Sequence, residues 1–291
     1  MDKTIRKIRE IIEPKMVIEG AGVRLLRSFA PNRENRFDPF LLFDHFAFND
    51  PNETPLVGFP THPHRGIETV TYMLEGSVRH RDSLGNMGVI AAGDVQWMTS
   101  GRGILHEEMP RPSQAGRVDG FQLWVNLPAA LKMSQPRYQE IQSARIPLQE
   151  MDGVSVRVVA GEYAGVRGPV TEIAARPVYL EVQVLPGARF ELNLPSEHTV
   201  LVYLFEGSAL FAEQEVVSAL RMITFEPGER LVVETGLAQP AGLSSAARFM
   251  VMAGAPFREP IFPYGPFVMN TMEEIQQTLA ELRAGTFIQP V

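Results

Sequence analysis

The sequence contains no cysteine, which excludes disulfides, thiolate nucleophiles, zinc fingers and thiolate-held iron–sulfur clusters. Any bound metal must be held by histidine, aspartate or glutamate. Lysine is nearly absent, confined to Lys3, Lys7, Lys15 and Lys132, and 27 basic against 34 acidic residues leave a net charge of −7. Nucleic-acid affinity rests largely on phosphates neutralised by clustered Lys and Arg, so direct nucleic-acid binding is not expected. No run approaches the roughly 18 apolar residues of a membrane span. The opening MDKTIRKIREIIEPKM alternates charged and apolar residues without the apolar stretch of a signal peptide. These absences point to a cytoplasmic protein with no membrane partner.

What is present is the balance of a protein that buries a core: 291 residues, 45% hydrophobic and 21% charged. At roughly 100 to 200 residues per domain this length favours two domains. The 24 glycines and 23 prolines are scattered as turn punctuation between short β-branched and aromatic runs. These runs are 68–74, 88–92, 95–98, 120–127 and 154–160, then 178–185, 200–205, 220–225, 230–234 and 248–253. The pattern predicts an all-β protein of sandwich or barrel type. The exception is 272–283, where Thr271 and Glu274 have capping-box spacing and Gly285 supplies a stop, predicting a short C-terminal α-helix.

A weak internal repeat supports two domains. Leu74-Glu75-Gly76-Ser77 is echoed by Phe205-Glu206-Gly207-Ser208, and each is followed some twenty residues on by Gly93-Asp94 or Gly228-Glu229. The boundary is placed at 145/146, within the polar stretch that carries Pro136 and Pro147. Domains over 1–145 and 146–291 result.

Three of the six histidines form a constellation. His62 and His64 stand two apart, and a strand puts such residues on one face. His106 and Glu108 repeat this spacing, with Glu107 out of phase. If the two segments are adjacent, three imidazoles and one carboxylate converge, a donor set suited to iron, nickel, copper, manganese or zinc. Two phased pairs outweigh the ordinary reading of one His-x-His as an exposed accident. His45 reads as packed and hydrogen-bonded, His80 and His198 as surface residues. Phe59, Trp97 and Phe121 are candidate pocket residues that read individually as core. Aligning Gly207 on Gly76 puts Asn193 and Pro195 opposite His62 and His64, and aligning Gly228 on Gly93 puts Ala241 opposite His106. The second copy is therefore expected to hold no metal.

The chain also resembles the pirins. The similarity lies in Asp38–Asp44 (DPFLLFD), Phe59–Val70 (FPTHPHRGIETV), Gly93–Pro110 (GDVQWMTSGRGILHEEMP), Gln122–Leu127 (QLWVNL) and Gly265–Asn270 (GPFVMN). This resemblance implies a bicupin, two antiparallel β-barrels of the double-stranded β-helix type, with metal only in the N-terminal one. Residues 257–291 would pack back on that domain. The family's ligands fall on His62, His64, His106 and Glu108. Its usual metal is iron, here one Fe(II) per chain, with Ni, Mn, Co, Cu or Zn as alternatives. The activity implied is quercetin 2,3-dioxygenase: a flavonol and O2 as substrates, release of carbon monoxide, and Glu108 as ligand and catalytic base. Other pirins are described as transcriptional cofactors or metabolic regulators. The alternative is thus an iron-dependent module that engages a protein partner, for which Arg65, Arg79, Arg81 and Arg102 hint at a patch. A monomer is expected, and residues 1–19 receive no role.

Overall fold

The computed structural model describes residues 3–48, 58–236 and 246–289. Among these the chain is mostly antiparallel β-structure with one α-helix, α1 (Met272–Ala284). It forms two compact units, Lys15–Ser143 with Phe257–Val291, and Met1–Pro14 with Ala144–Pro256. The main division falls between Ser143 and Ala144. Met1–Pro14, however, lies with the second unit, whereas the sequence reading places it in a domain over 1–145.

The first strands in chain order are β1 (Ile8–Ile12), β2 (Lys15–Glu19), β3 (Val23–Phe29), β4 (Phe40–His45), β5 (Phe59–His64) and β6 (Ile67–Glu75). They are followed by β7 (Ser77–Asp82), β8 (Met87–Ala91), β9 (Val95–Thr99), β10 (Ile104–Arg111), β11 (Asp119–Asn126) and β12 (Arg137–Ile141). In the unit holding the histidine motifs, one sheet runs β12-β9-β6-β11-β4-β3-β2 and a smaller one β5-β10-β7-β8. All six residues of β4, Phe-Leu-Leu-Phe-Asp-His, are buried, as a short continuous apolar run allows when both faces of a strand are covered. Trp97 and Phe121, at 1% and 0% exposure, belong to this unit's core.

The other unit repeats this strand order. Its large sheet runs from β1 through Arg221–Phe225, Thr199–Glu206, Ala247–Gly254, Val178–Val184 and Val154–Ala160 to Leu148–Met151. Its small sheet orders Arg189–Asn193, Arg230–Glu234, Ser208–Phe211 and Glu215–Ser218. Gly76 and Gly207, the landmarks of the sequence repeat, follow equivalent strands with φ of 75° and 77°, a region favourable to glycine.

β1 gives the N-terminal residues a role the sequence reading withheld. It pairs along Arg221–Phe225 and occupies the edge position that β12 takes beside β9. Buried Arg6 fastens it: Nη1 donates to the carbonyls of His198 (3.1 Å) and Glu226 (3.3 Å), Nη2 to those of Pro195 (2.6 Å) and Ser196 (3.3 Å). His198, read as a surface residue, is correspondingly buried at 7% exposure.

The C-terminal segment belongs to the histidine-bearing unit. Thr271 caps α1 through a full capping box with Glu274, and left-handed Gly285 ends it. Arg65 is buried at 1% exposure, so it is no part of a surface patch. Its Nε donates to the Arg102 carbonyl (2.6 Å) and its Nη1 to Thr278 Oγ1 (3.0 Å); Nη2 pairs with Glu281 (2.6 Å), and the guanidinium lies over Phe287. Buried Lys132 donates to the carbonyls of Gly66 and Val268 and to Asn126 Oδ1 at 2.6 to 2.9 Å.

Candidate metal centre

β5 and β10 are antiparallel neighbours, with Ile104 opposite His64 and His106 opposite His62. On β10 the burial alternates, so Ile104, His106 and Glu108 face inward while Leu105 and Glu107 are more open, as the period of two requires. The register slips between His106 and Glu108, where β5 carries one extra residue and Glu108 comes opposite Phe59.

The three imidazoles meet tip to tip. His62 Nε2 lies 3.1 Å from His64 Nε2 and 2.9 Å from His106 Nε2. Among the described residues these three form the group able to hold a metal ion, every ligand atom lying within 4.8 Å of the others. His62 Nδ1 stands 2.9 Å from the Pro60 carbonyl; donating there leaves Nε2 with its lone pair toward the cluster. Burial, followed by the charges of His106 and His62, holds His64 well below its ordinary 6.5. His106 is pushed down in the same way, by burial first and His62 second. These two imidazoles are therefore neutral at pH 7, the form that binds metal.

Glu108 stands beside the trio, its Oε2 3.9 Å from His106 Nε2. Thr71 Oγ1 (3.1 Å) and Gln122 Nε2 (3.1 and 3.3 Å) donate to the carboxylate, and Trp124 Nε1 donates to Gln122 Oε1 (3.3 Å). Trp124 also meets His64 edge to face at 5.2 Å. Sequence reasoning did not single out these three supporting residues. Their signal was phase: Gln122 and Trp124 are two apart on β11, and Thr71 faces Gln122 across the β6–β11 pair.

The donor set suits a divalent cation. Three imidazole nitrogens aimed at one another cannot all be satisfied by shared protons. Octahedral neighbours at bonds of about 2.1 Å stand about 3 Å apart, which matches the observed separations. A cavity of about 380 Å³ opens beside them, lined by His62, His64 and Glu108 and by apolar residues such as Leu42, Phe46, Phe59 and Val118. Phe59 thus reaches the cavity, whereas Trp97 and Phe121 do not line it.

The remaining histidines lie elsewhere. His45 is buried with Nε2 3.0 Å from Asp119 Oδ1. His80, read as a surface residue, is 1% exposed, stacks on Tyr138 and pairs with Glu140 at 2.7 Å. It alternates inward on β7 between exposed Arg79 and Arg81, so the arginines mark the outer face and His80 the inner one. In the second unit Asn193 is exposed and pairs with Arg230, while Ala241 lies outside the described residues.

Comparison with known proteins agrees with this fold. The family described as Pirin matches residues 22–125, and the Pirin C-terminal cupin domain matches 179–288. A "Pirin-like protein" of Caulobacter vibrioides is 42% identical over 285 residues, covering 97% of this chain and 99% of its own. A "Putative quercetin 2,3-dioxygenase" of Pseudomonas aeruginosa is 43% identical over 286 residues, covering 96% and 97%. Among solved structures, a quercetin 2,3-dioxygenase from Acinetobacter baumannii superposes with a TM-score of 0.87 at 34% identity, covering 97% of this chain and 98% of its own.

Proposed function

The chain belongs to the pirin family, and from that premise we propose that it is a metal-dependent dioxygenase cleaving flavonols such as quercetin with O2 and releasing carbon monoxide. The observation that carries this reading is the tip-to-tip meeting of three imidazole nitrogens, with Glu108 beside them, next to a largely apolar cavity that His62, His64 and Glu108 line. The similarity to proteins named for quercetin 2,3-dioxygenase activity supports it. On this reading each unit is a cupin barrel, and only the one holding His62, His64, His106 and Glu108 binds metal, with Fe(II) the leading candidate.

The four side chains would hold the ion and leave positions for substrate and oxidant. When bound, it supplies Lewis acidity that lowers the pKa of an enolic hydroxyl and brings the electron-rich ring together with O2. The chain's own residues supply the rest. Glu108 accepts the proton of the substrate's 3-hydroxyl, and Thr71 and Gln122 hold its carboxylate in place for that transfer. The aromatic and aliphatic wall orients the flat ring and excludes water. Ring opening inserts both oxygen atoms and expels one carbon as CO, leaving a depside.

The test is aerobic incubation of metal-reconstituted protein with quercetin, followed by an oxygen electrode and CO detection. The expected result is coupled O2 consumption and CO release, lost in His106→Ala. Absence of turnover with iron, nickel, manganese, cobalt, copper and zinc overturns the proposal.

A further inference from the structure

The cavity is apolar on most sides, yet one strip of its wall is polar and runs away from the histidines. Arg27 on β3 faces Asp44 on β4, Asp44 faces Gln122 on β11, and Gln122 faces Thr71 on β6. Directly opposed residues share a sheet face, and all four line the cavity. At the near end Thr71 and Gln122 bind Glu108. At the far end Arg27 grips Asp44 with two bonds of 2.8 Å, while its Nη1 donates to Glu19 Oε1 at 2.7 Å. Glu19 lines the cavity as well.

The far cluster is a poor choice for mere cohesion. Asp44 is 4% exposed, and withdrawing ion pairs from water costs about as much as their attraction returns. One cation against two carboxylates leaves an excess negative charge, which disfavours an anion and offers oxygen acceptors to a neutral donor. Two strand spacings of about 4.8 Å separate Arg27's strand from Gln122's. A ligand touching both ends must therefore span roughly 10 Å, the scale of a flat molecule of two or three rings.

We propose that Glu19, Arg27 and Asp44 form a specificity subsite that reads donor hydroxyls on the end of an aromatic substrate remote from the metal. Asp44 and Glu19 accept the hydroxyl protons, and Arg27 fixes the two carboxylates in position. The inference rests on the flavonol reading and narrows it to polyhydroxylated members. It also gives the end of β2 a part in binding.

Calorimetric titration under nitrogen separates the two ideas. Metal-loaded protein is titrated with quercetin and with 3-hydroxyflavone, which keeps the metal-directed hydroxyl and lacks the others. Quercetin is expected to bind roughly tenfold to a hundredfold more tightly, the worth of one or two hydrogen bonds to a charged group. Glu19→Gln, at a half-exposed side chain, and Asp44→Asn should each cut that ratio at least threefold, and CD spectra should match the parent's. Equal binding of the two flavonols by the parent, or a ratio unchanged by both substitutions, overturns the subsite alone. If neither flavonol binds, the flavonol reading itself fails and the subsite with it.

Discussion

Removing the His106 side chain deletes one of three nitrogens that meet within 3.1 Å of a neighbour, and two imidazoles grip a cation far less firmly than three. His106→Ala should therefore lose its metal on dialysis, and His64→Ala likewise, while the parent retains one ion per chain by elemental analysis. A second buried group bears on stability. Glu68 is 1% exposed, accepts from Thr99 Oγ1 at 2.8 Å, and burial lifts it from 4.5 to about 7. The folded protein keeps this proton where the unfolded chain releases it. Its contribution is full below pH 4.5 and is lost as pH rises toward 7, by about 3 kcal/mol in all. Glu68→Gln should flatten that fall in urea titrations at pH 5 and pH 7.5. All four candidate ligands were legible from strand phase, but Glu68 was not: its burial comes from the strands on either side of β6.

At the scale of elements, β5 shows how a strand can look like a loop. Pro60 and Pro63 argue against a central strand, yet β5 lies at the edge of its sheet, where a missing N–H is tolerated. The strand after β5 begins at Ile67, and the link between them is fixed by Arg65 and Lys132 rather than by strand pairing alone. Arg65→Leu would take one donor each from the Arg102 carbonyl, Thr278 and Glu281. It should cost about 3 to 5 kcal/mol in chemical denaturation and loosen metal retention through the adjacent His64. The helix was readable because its cap residues are local. That Thr278 and Glu281 bind Arg65 was not, since more than 200 residues lie between them.

For the whole molecule, the two units share one strand order, and the chain completes them unequally. β12 closes the edge beside β9, whereas the equivalent edge of the other unit is closed by β1 from the opposite end of the sequence. Removing Met1–Pro14 exposes that edge and frees the four carbonyls that Arg6 binds. Calorimetry of the shortened protein should show an early transition from the second unit, while elemental analysis still finds one metal ion per chain. Loss of metal along with the arm would overturn this expectation.

The sequence by itself determined the β-rich class, the C-terminal helix and the exclusion of thiol chemistry, because period, caps and residue types are local. It also determined that His62, His64, His106 and Glu108 could share a face, since alternation along a strand is geometry rather than context. Tertiary structure decided which faces were inward, burying His198, and burying His80 and Arg65 against polar partners that composition alone does not reveal. It decided too that Glu19, Arg27 and Asp44 come together at one wall of the cavity. Three consecutive strands, β2, β3 and β4, meet there, and only their pairing brings Glu19 and Asp44 to the guanidinium of Arg27.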